Sequence, residues 1–241
     1  MRIKIYNTLN KIKFNIVYSI YNFRDFLLGF FLRESSLIFE KDKFYLFEIR
    51  ENARFFFEKI FNEIFYTNIS NTKSFYFLNS VLSNEVLDNL NSQLVYINCK
   101  KVPKYFFVNL INNIYQPVKK ILNSNWKCVQ VRAWITKKKS NRMVGPLKFH
   151  TDGMPNSVYK IMIYPEAINL KNGSIEIENS GILISKTSCA LLFKNSMLLH
   201  RGVPGEDIDR PVIELTIVKN LFFNNDCRIG EPNSVLPILI F

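Results

Sequence analysis

The placement of the chain's two histidines constrains its fold more than any other feature. They stand in Phe149-His150-Thr151-Asp152-Gly153 and in Leu199-His200-Arg201-Gly202. Two imidazoles and one carboxylate make the facial set that holds Fe(II) and leaves its other positions open for a co-substrate and dioxygen. For His150, Asp152 and His200 to share one ion, segments 48 residues apart, counted from Asp152 to His200, must lie side by side. On a strand, the one-residue gap between His150 and Asp152 puts both side chains on one face. A strand remote in sequence but adjacent in space then has to deliver His200. Arg210, ten residues beyond His200, offers a planar fork that can grip the carboxylate of an organic-acid co-substrate through two charge-assisted hydrogen bonds.

The text around these residues has the period of strands. From Trp126 to Thr136 the alternation places Val129, Val131, Ala133 and Ile135 on one face and Gln130, Arg132, Trp134 and Thr136 on the other. Lys160, Met162 and Tyr164 likewise share a face opposite Tyr159, Ile161 and Ile163. A sheet face covered by helices should be apolar. Arg132, Lys160 and Tyr164 are therefore expected to point into an internal cavity as contacts for co-substrate or substrate, with a solvated sheet face as the alternative.

Residues 126 to 219 resemble the catalytic half of the phytanoyl-CoA dioxygenase-like family of Fe(II)/2-oxoglutarate-dependent oxygenases. The resemblance is carried by His150 and Asp152, by Tyr159-Lys160-Ile161-Met162-Ile163-Tyr164-Pro165 and by Asn172-Gly173-Ser174-Ile175-Glu176-Ile177. It continues through Ala190-Leu191-Leu192-Phe193 to His200-Arg201-Gly202, then Arg210-Pro211-Val212 and the alternating run from Ile213 to Val218. A less specific match over Phe75 to Glu85 extends it to roughly residues 74 to 220. It implies an α+β fold with a mainly β core: a double-stranded β-helix (jelly-roll, cupin-like) with flanking N-terminal helices. Residues 74–241 would form the oxygenase-like domain, and residues 1–73 a helical, aromatic and basic extension packing on it.

The same resemblance implies a metal set of His150, Asp152 and His200, with 2-oxoglutarate chelating the iron and Arg210 holding its distal carboxylate. Arg132, Lys160 and Tyr164 are the further expected co-substrate contacts. The reaction would be hydroxylation of a small molecule, with a cell-surface sugar, a lipid or a secondary metabolite as the classes in view. Hydroxylation of a protein side chain is a second enzymatic reading. The rival is a non-catalytic jelly-roll protein that binds metal or ligand, which has no need of an open iron face beside a carboxylate clamp. Gly202 stands where the family carries Ser or Thr, and Thr216 is the candidate substitute. Asn179-Ser180-Gly181 lacks the Pro and His of the corresponding family segment. Retention of Asp152 argues against a halogenase, and the lack of a second Arg after Arg210 argues against nucleobase demethylation.

With 48% hydrophobic and 15% aromatic residues, the chain is globular, of a length for one domain with extensions. A net charge of +12 favours an anionic substrate, even after discounting a compositional bias that enriches Lys along with Phe, Asn and Ile. No nucleic-acid recognition motif accompanies that charge, so no nucleic-acid partner is expected. The basic run from Lys137 to Arg142 is a candidate lid beside the site. Cys99, Cys128, Cys189 and Cys227 show no metal-like pairing and read as free thiols in a reducing cytoplasm.

The apolar run from Phe14 to Leu32 is interrupted by Asn15, Asn22, Arg24 and Asp25, so it is no clean membrane span, and the N-terminus lacks the pattern of a signal peptide. Its amphipathic pattern suits a helix covering the core, a dimer surface or peripheral membrane contact alike. Helices are further expected over residues 50 to 65, from Ser83 through Val86, Leu90 and Leu94, and from Lys104 until Pro117 bends or ends it.

Overall fold

Alternating apolar text forms strands over most of the second half of the chain, and these strands build two antiparallel sheets. The computed structural model describes residues 44–49, 72–73, 93–97, 99, 102–140, 145–152, 158–194 and 196–219. Within them lie β1 (Phe44–Glu48), β2 (Thr72–Lys73), β3 (Leu94–Ile97), α1 (Lys104–Leu122), β4 (Trp126–Thr136) and β5 (Val158–Tyr164). β6 (Ser174–Ile177), β7 (Gly181–Ile182), β8 (Cys189–Phe193), β9 (His200–Val203) and β10 (Arg210–Lys219) complete the order. The larger sheet runs β1-β8-β5-β10-β4-β3-β2 and the smaller β7-β6-β9. Their pairings are antiparallel throughout.

One face of the larger sheet is covered by α1. The helix buries Phe106, Phe107, Leu110, Ile111, Ile114, Tyr115, Val118 and Leu122, a stripe at three- and four-residue spacing. These side chains pack with Val131, Ala133, Tyr159, Ile161, Ile163, Leu192, Ile213 and Leu215 into one apolar cluster. A second cluster contains Trp134, Met162, Tyr164, Leu191 and Phe193 of the larger sheet with Ile175 and Ile177 of the smaller. The sheet thus packs apolar residues on both faces, and the second face also carries the charged side chains of the site described below. The expected faces of β5 appear as read: Tyr159, Ile161 and Ile163 join the helix-side cluster, while Met162 and Tyr164 join the other.

β4 departs from strict alternation. Thr216 pairs with Gln130 but Ile217 with Cys128, so a bulge takes Val129 out of the ladder. The parity of the strand reverses there. Trp126 and Cys128, rather than Val129, share the helix-side cluster with Val131 and Ala133.

α1 also differs from expectation, since it continues through Pro117 to Leu122 and ends at Asn123 in the left-handed region with φ 47°. Pro117 removes one N–H from the helical ladder. The carbonyl deprived of it belongs to Asn113, which is exposed and can be served by water. Apolar burial on both sides of the proline holds the helix together, and Lys119 and Lys120 favour its C-terminal dipole.

The stretch read as a helical N-terminal extension contributes two strands. Phe44-Tyr45-Leu46-Phe47 has high strand preference, and β1 pairs with β8 at the edge of the larger sheet. Its Tyr45 and Phe47 pack on one cluster and its Phe44 and Leu46 on the other. Leu94, read as the end of a helical stripe, opens β3 instead. The amphipathic text at 14–32, the helical readings at 50–65 and 83–92, and Cys227 lie outside the described residues. Cys99, Cys128 and Cys189 are buried free thiols. Among the described residues no helix is long and apolar enough to cross a membrane.

Phe107 is fully buried between α1 and the sheet, whereas Tyr105 on the same helix is 58% exposed. Phe107→Ala is expected to lower unfolding free energy by about 3–5 kcal/mol, and Tyr105→Ala by less than about 0.5 kcal/mol. Urea denaturation of both variants checks the pair of values.

Candidate metal centre

The smaller sheet is what brings the histidines together. His150 forms an antiparallel bridge with His200, the first residue of β9, beside the β6–β9 pair. The His150 N–H donates to the His200 carbonyl at 3.0 Å and the His200 N–H donates back at 3.1 Å. The two rings lie 4.6 Å apart between centroids. Each imidazole Nδ1 stands against the backbone carbonyl two residues earlier, His150 against Lys148 at 2.8 Å and His200 against Leu198 at 2.9 Å. A carbonyl only accepts, so Nδ1 carries the proton and Nε2 keeps its lone pair for a metal.

Asp152 completes the set. Its Oδ1 is 3.6 Å from His150 Nε2 and its Oδ2 is 3.8 Å from His200 Nε2. One ligand atom from each of the three residues lies within 4.8 Å of the others. Cis donors around an ion at about 2.1 Å stand about 3 Å apart, so small side-chain rotations close this set on a metal. Protonation favours the same use. Burial pushes the His200 imidazole down to about 4, against the opposing pull of Asp152. Burial alone would push the Asp152 carboxyl up, yet Lys160 first, then His200 and His150, holds it well below the usual carboxylate range. A neutral imidazole and an ionised carboxylate are the forms that bind divalent iron.

A chain of buried charges runs inward from Asp152. Lys160 Nζ lies 2.6 Å from Asp152 Oδ2 and 2.9 Å from Glu214 Oε2. Glu214 in turn accepts from Arg132, whose Nε is 2.6 Å from Oε1 and whose Nη2 contacts the same oxygen. The register explains these contacts: Glu214 is the direct cross-strand partner of Arg132, and Lys160 pairs with Thr216, two residues further along β10. Burial raises the Glu214 carboxyl, but Arg132 and Lys160 outweigh it and hold the group below its ordinary value.

Arg210 is differently placed. Its Nη2 donates to Thr136 Oγ1 at 3.2 Å, while Nε and Nη1 are buried and have no hydrogen-bond partner among the described residues. The guanidinium carbon lies 5.7 Å from the centre of the Tyr164 ring, and the buried Tyr164 hydroxyl faces the same guanidinium without a well-formed hydrogen bond among the described residues. Burial destabilises the charge of Arg210, with Tyr164 as the opposing influence. Glycine makes room for this arginine at two points. A Cβ at Gly202 would lie 3.0 Å from Arg210 Nη2, and one at Gly173, where φ is +85°, would lie 2.9 Å from Arg210 Cδ.

These groups share one pocket, about 580 Å³ including its open mouth. His150, Asp152, His200, Arg132, Lys160, Tyr164 and Arg210, all singled out in the sequence, line it. The pocket also draws on Glu214, Thr136 and Tyr96, which sequence reasoning missed. The signal for Glu214 was available, because an acidic residue between Ile213 and Leu215 in an apolar strand needs a buried partner. Thr216, the candidate substitute for the missing hydroxyl at 202, bonds Gln130 Oε1 at 3.5 Å instead and does not line the pocket. The expected lid is tied down over its first residues. Lys137 pairs with Asp209 at 2.7 Å, the Lys138 N–H donates to Asp209 Oδ1 at 2.9 Å, and the Lys139 N–H donates to the Gly205 carbonyl at 2.8 Å. Residues 141–144 of that run lie outside the described residues.

No protein-family model matches the chain, and no curated protein matches it. Solved structures do. HygX from Streptomyces hygroscopicus, crystallised with nickel and 2-oxoglutarate, gives a TM-score of 0.48 at 13% identity over 79% of this chain and 88% of its own. EctD from S. alaskensis, crystallised with 2-oxoglutarate and 5-hydroxyectoine, gives 0.47 at 11% identity over 75% and 73%. SnoK, a non-haem α-ketoglutarate-dependent carbocyclase of nogalamycin biosynthesis, gives 0.52 at 8% identity over 74% and 80%. The likeness to SnoK extends to the fold, which in this chain takes the form of two antiparallel sheets.

Proposed function

We propose that this chain is an Fe(II)- and 2-oxoglutarate-dependent oxygenase of the phytanoyl-CoA dioxygenase-like type, built on a double-stranded β-helix, that hydroxylates a small molecule. The observation that carries this reading is Arg210. It is buried in the same pocket as three convergent metal donors, and two of its guanidinium nitrogens have no hydrogen-bond partner among the described residues. A buried cation with free donors calls for an anion. Among the described residues it alone of the cations lining the pocket lacks a carboxylate partner, since Arg132 pairs with Glu214 and Lys160 with Asp152 and Glu214. We therefore assign the distal carboxylate of 2-oxoglutarate to Arg210, with Tyr164 beside it, and move Arg132 and Lys160 from co-substrate contacts to support of the site.

The residues divide the work. His150 and His200 present Nε2 with their tautomers fixed by Lys148 and Leu198 carbonyls, and Asp152 supplies the anionic ligand. Thr136 orients the Arg210 guanidinium. Leu94, Trp134, Leu147, Met162 and Ile175 form an apolar wall that keeps water from the reacting centre. Iron with 2-oxoglutarate and dioxygen supplies the oxidising power for C–H hydroxylation, coupled to decarboxylation of the co-substrate. With Arg132 and Lys160 neutralised within the protein, the expected anionic substrate draws no support from unpaired pocket cations other than Arg210.

Anaerobic titration of the Fe(II)-loaded protein with 2-oxoglutarate tests the reading through the weak visible charge-transfer band of the chelate. The wild type is expected to develop the band. Arg210→Ala removes the partner of a buried charge, worth about 2–5 kcal/mol, and is expected to raise the half-saturating 2-oxoglutarate concentration by roughly 30-fold or more. An unchanged titration in the variant refutes the clamp. Gly202→Val forces a side chain against Arg210 Nη2 and Leu147 Cδ2, each already 3.0 Å from a Cβ at that position. It is expected to weaken 2-oxoglutarate binding about tenfold or more while leaving Fe(II) affinity within about twofold, and calorimetry of the two ligands separates the effects.

A further inference from the structure

Lys160 is the pocket cation whose charge reaches the metal donors directly. Its ammonium is 2.6 Å from Asp152 Oδ2, and the residue is 3% exposed at the centre of β5. Glu214 holds it from the other side at 2.9 Å and is itself fixed by Arg132 across the β4–β10 pair. Lysine is a flexible, strongly hydrated point charge, and burying one so fully takes two carboxylates to offset its lost hydration. The strands therefore deliver an ammonium to one particular oxygen of the ligand carboxylate.

That contact bears on how Asp152 coordinates. A carboxylate can lend a metal one oxygen or both. A six-coordinate ion held by two imidazoles and one carboxylate oxygen keeps three open positions, and a carboxylate that lends both oxygens leaves two. A chelating co-substrate takes two positions and dioxygen needs one more. A two-oxygen Asp152 would thus compete with the reaction.

We propose that Lys160 is a positioning residue that, by pairing with Oδ2, restricts Asp152 to a single coordinating oxygen and keeps a third position open. The proposal rests on the metal reading above. Glu214, itself held by Arg132, takes a second share of the buried ammonium but is not what places it, since Lys160 Nζ reaches Asp152 Oδ2 directly at 2.6 Å.

The test counts exchangeable waters on Mn(II) bound to the metal-stripped full chain, by water-proton relaxivity, without co-substrate or turnover. Wild type is expected to show three exchangeable waters. Lys160→Met frees Oδ2 and is expected to lower the relaxivity per bound Mn(II) by about a third, from three waters to two. Glu214→Gln also perturbs the buried charges but leaves Lys160 on Asp152, so it is expected to keep the wild-type value. An unchanged count in Lys160→Met overturns the proposal, as does an equal drop in Glu214→Gln, which would mean that any disturbance of the network changes coordination. Circular dichroism checks folding. Should Lys160→Met not fold, Lys160→Gln, too short to hold Oδ2 from β5, is read in its place against the same change from three waters to two, and a wild-type count of two overturns the proposal outright. Failure of wild type to bind Mn(II) sinks the metal reading itself, a different result from binding with an unaltered water count.

Discussion

The two backbone hydrogen bonds between His150 and His200 hold the rest of the site in place. They set residues from distant parts of the sequence directly opposite one another, and an antiparallel bridge fixes that spacing to within the pleat of a sheet. Everything else follows outward from it. Nδ1 of each ring meets its own backbone, and Asp152, two residues along, falls beside both Nε2 atoms. The flanking side chains reinforce the bridge: Arg201 lies over the Phe149 ring at 4.4 Å and pairs with Glu176 on β6 at 2.6 Å. Residues adjacent to both histidines are thereby tied to the same small sheet.

The larger sheet contributes charge. Arg132, Glu214, Lys160 and Asp152 alternate in sign across β4, β10, β5 and the segment after His150, so each buried charge faces an opposite one. Removing one member would strand its neighbour in an apolar layer, which is far more costly than leaving the chain of pairs whole. Arg210 stands outside this alternation. It enters from the first residue of β10, passes glycines at 173 and 202, and among the described residues its polar and ring contacts are the Thr136 hydroxyl and the Tyr164 ring. The contrast between four internally satisfied charges and one unsatisfied guanidinium separates the groups that shape the pocket from the group left for a ligand.

Much of this was legible in the sequence because it depends on local spacing. The H-x-D pair, the second His and Arg210 were visible as residue types at fixed distances, and β5 kept its period of two without interruption. What escaped depends on partners remote in sequence. The bulge at Val129 arises from the pairing of β4 with β10 and has no glycine to announce it, so Val129 was placed on the helix-side face that Trp126 and Cys128 occupy. Lys160 was correctly placed on the inner face, yet its role depends on Glu214, 54 residues later and two positions short of its strand partner Thr216. Pro117 carries a strong local signal for ending a helix, and tertiary burial of the flanking apolar residues overrides it. β1 pairs with β8 across more than a hundred residues, beyond the reach of any local pattern.

If His150, Asp152 and His200 hold one iron ion facing Arg210 across a shared pocket, the ion and the co-substrate can both be located in a crystal. Crystals prepared anaerobically with Fe(II) and 2-oxoglutarate, with anomalous data collected at the iron edge, test it most directly. A single anomalous peak is expected within about 2.0–2.3 Å of both Nε2 atoms and of an Asp152 oxygen, with 2-oxoglutarate running from the metal to Arg210. Iron bound elsewhere, or a co-substrate whose distal carboxylate avoids Arg210, would contradict it.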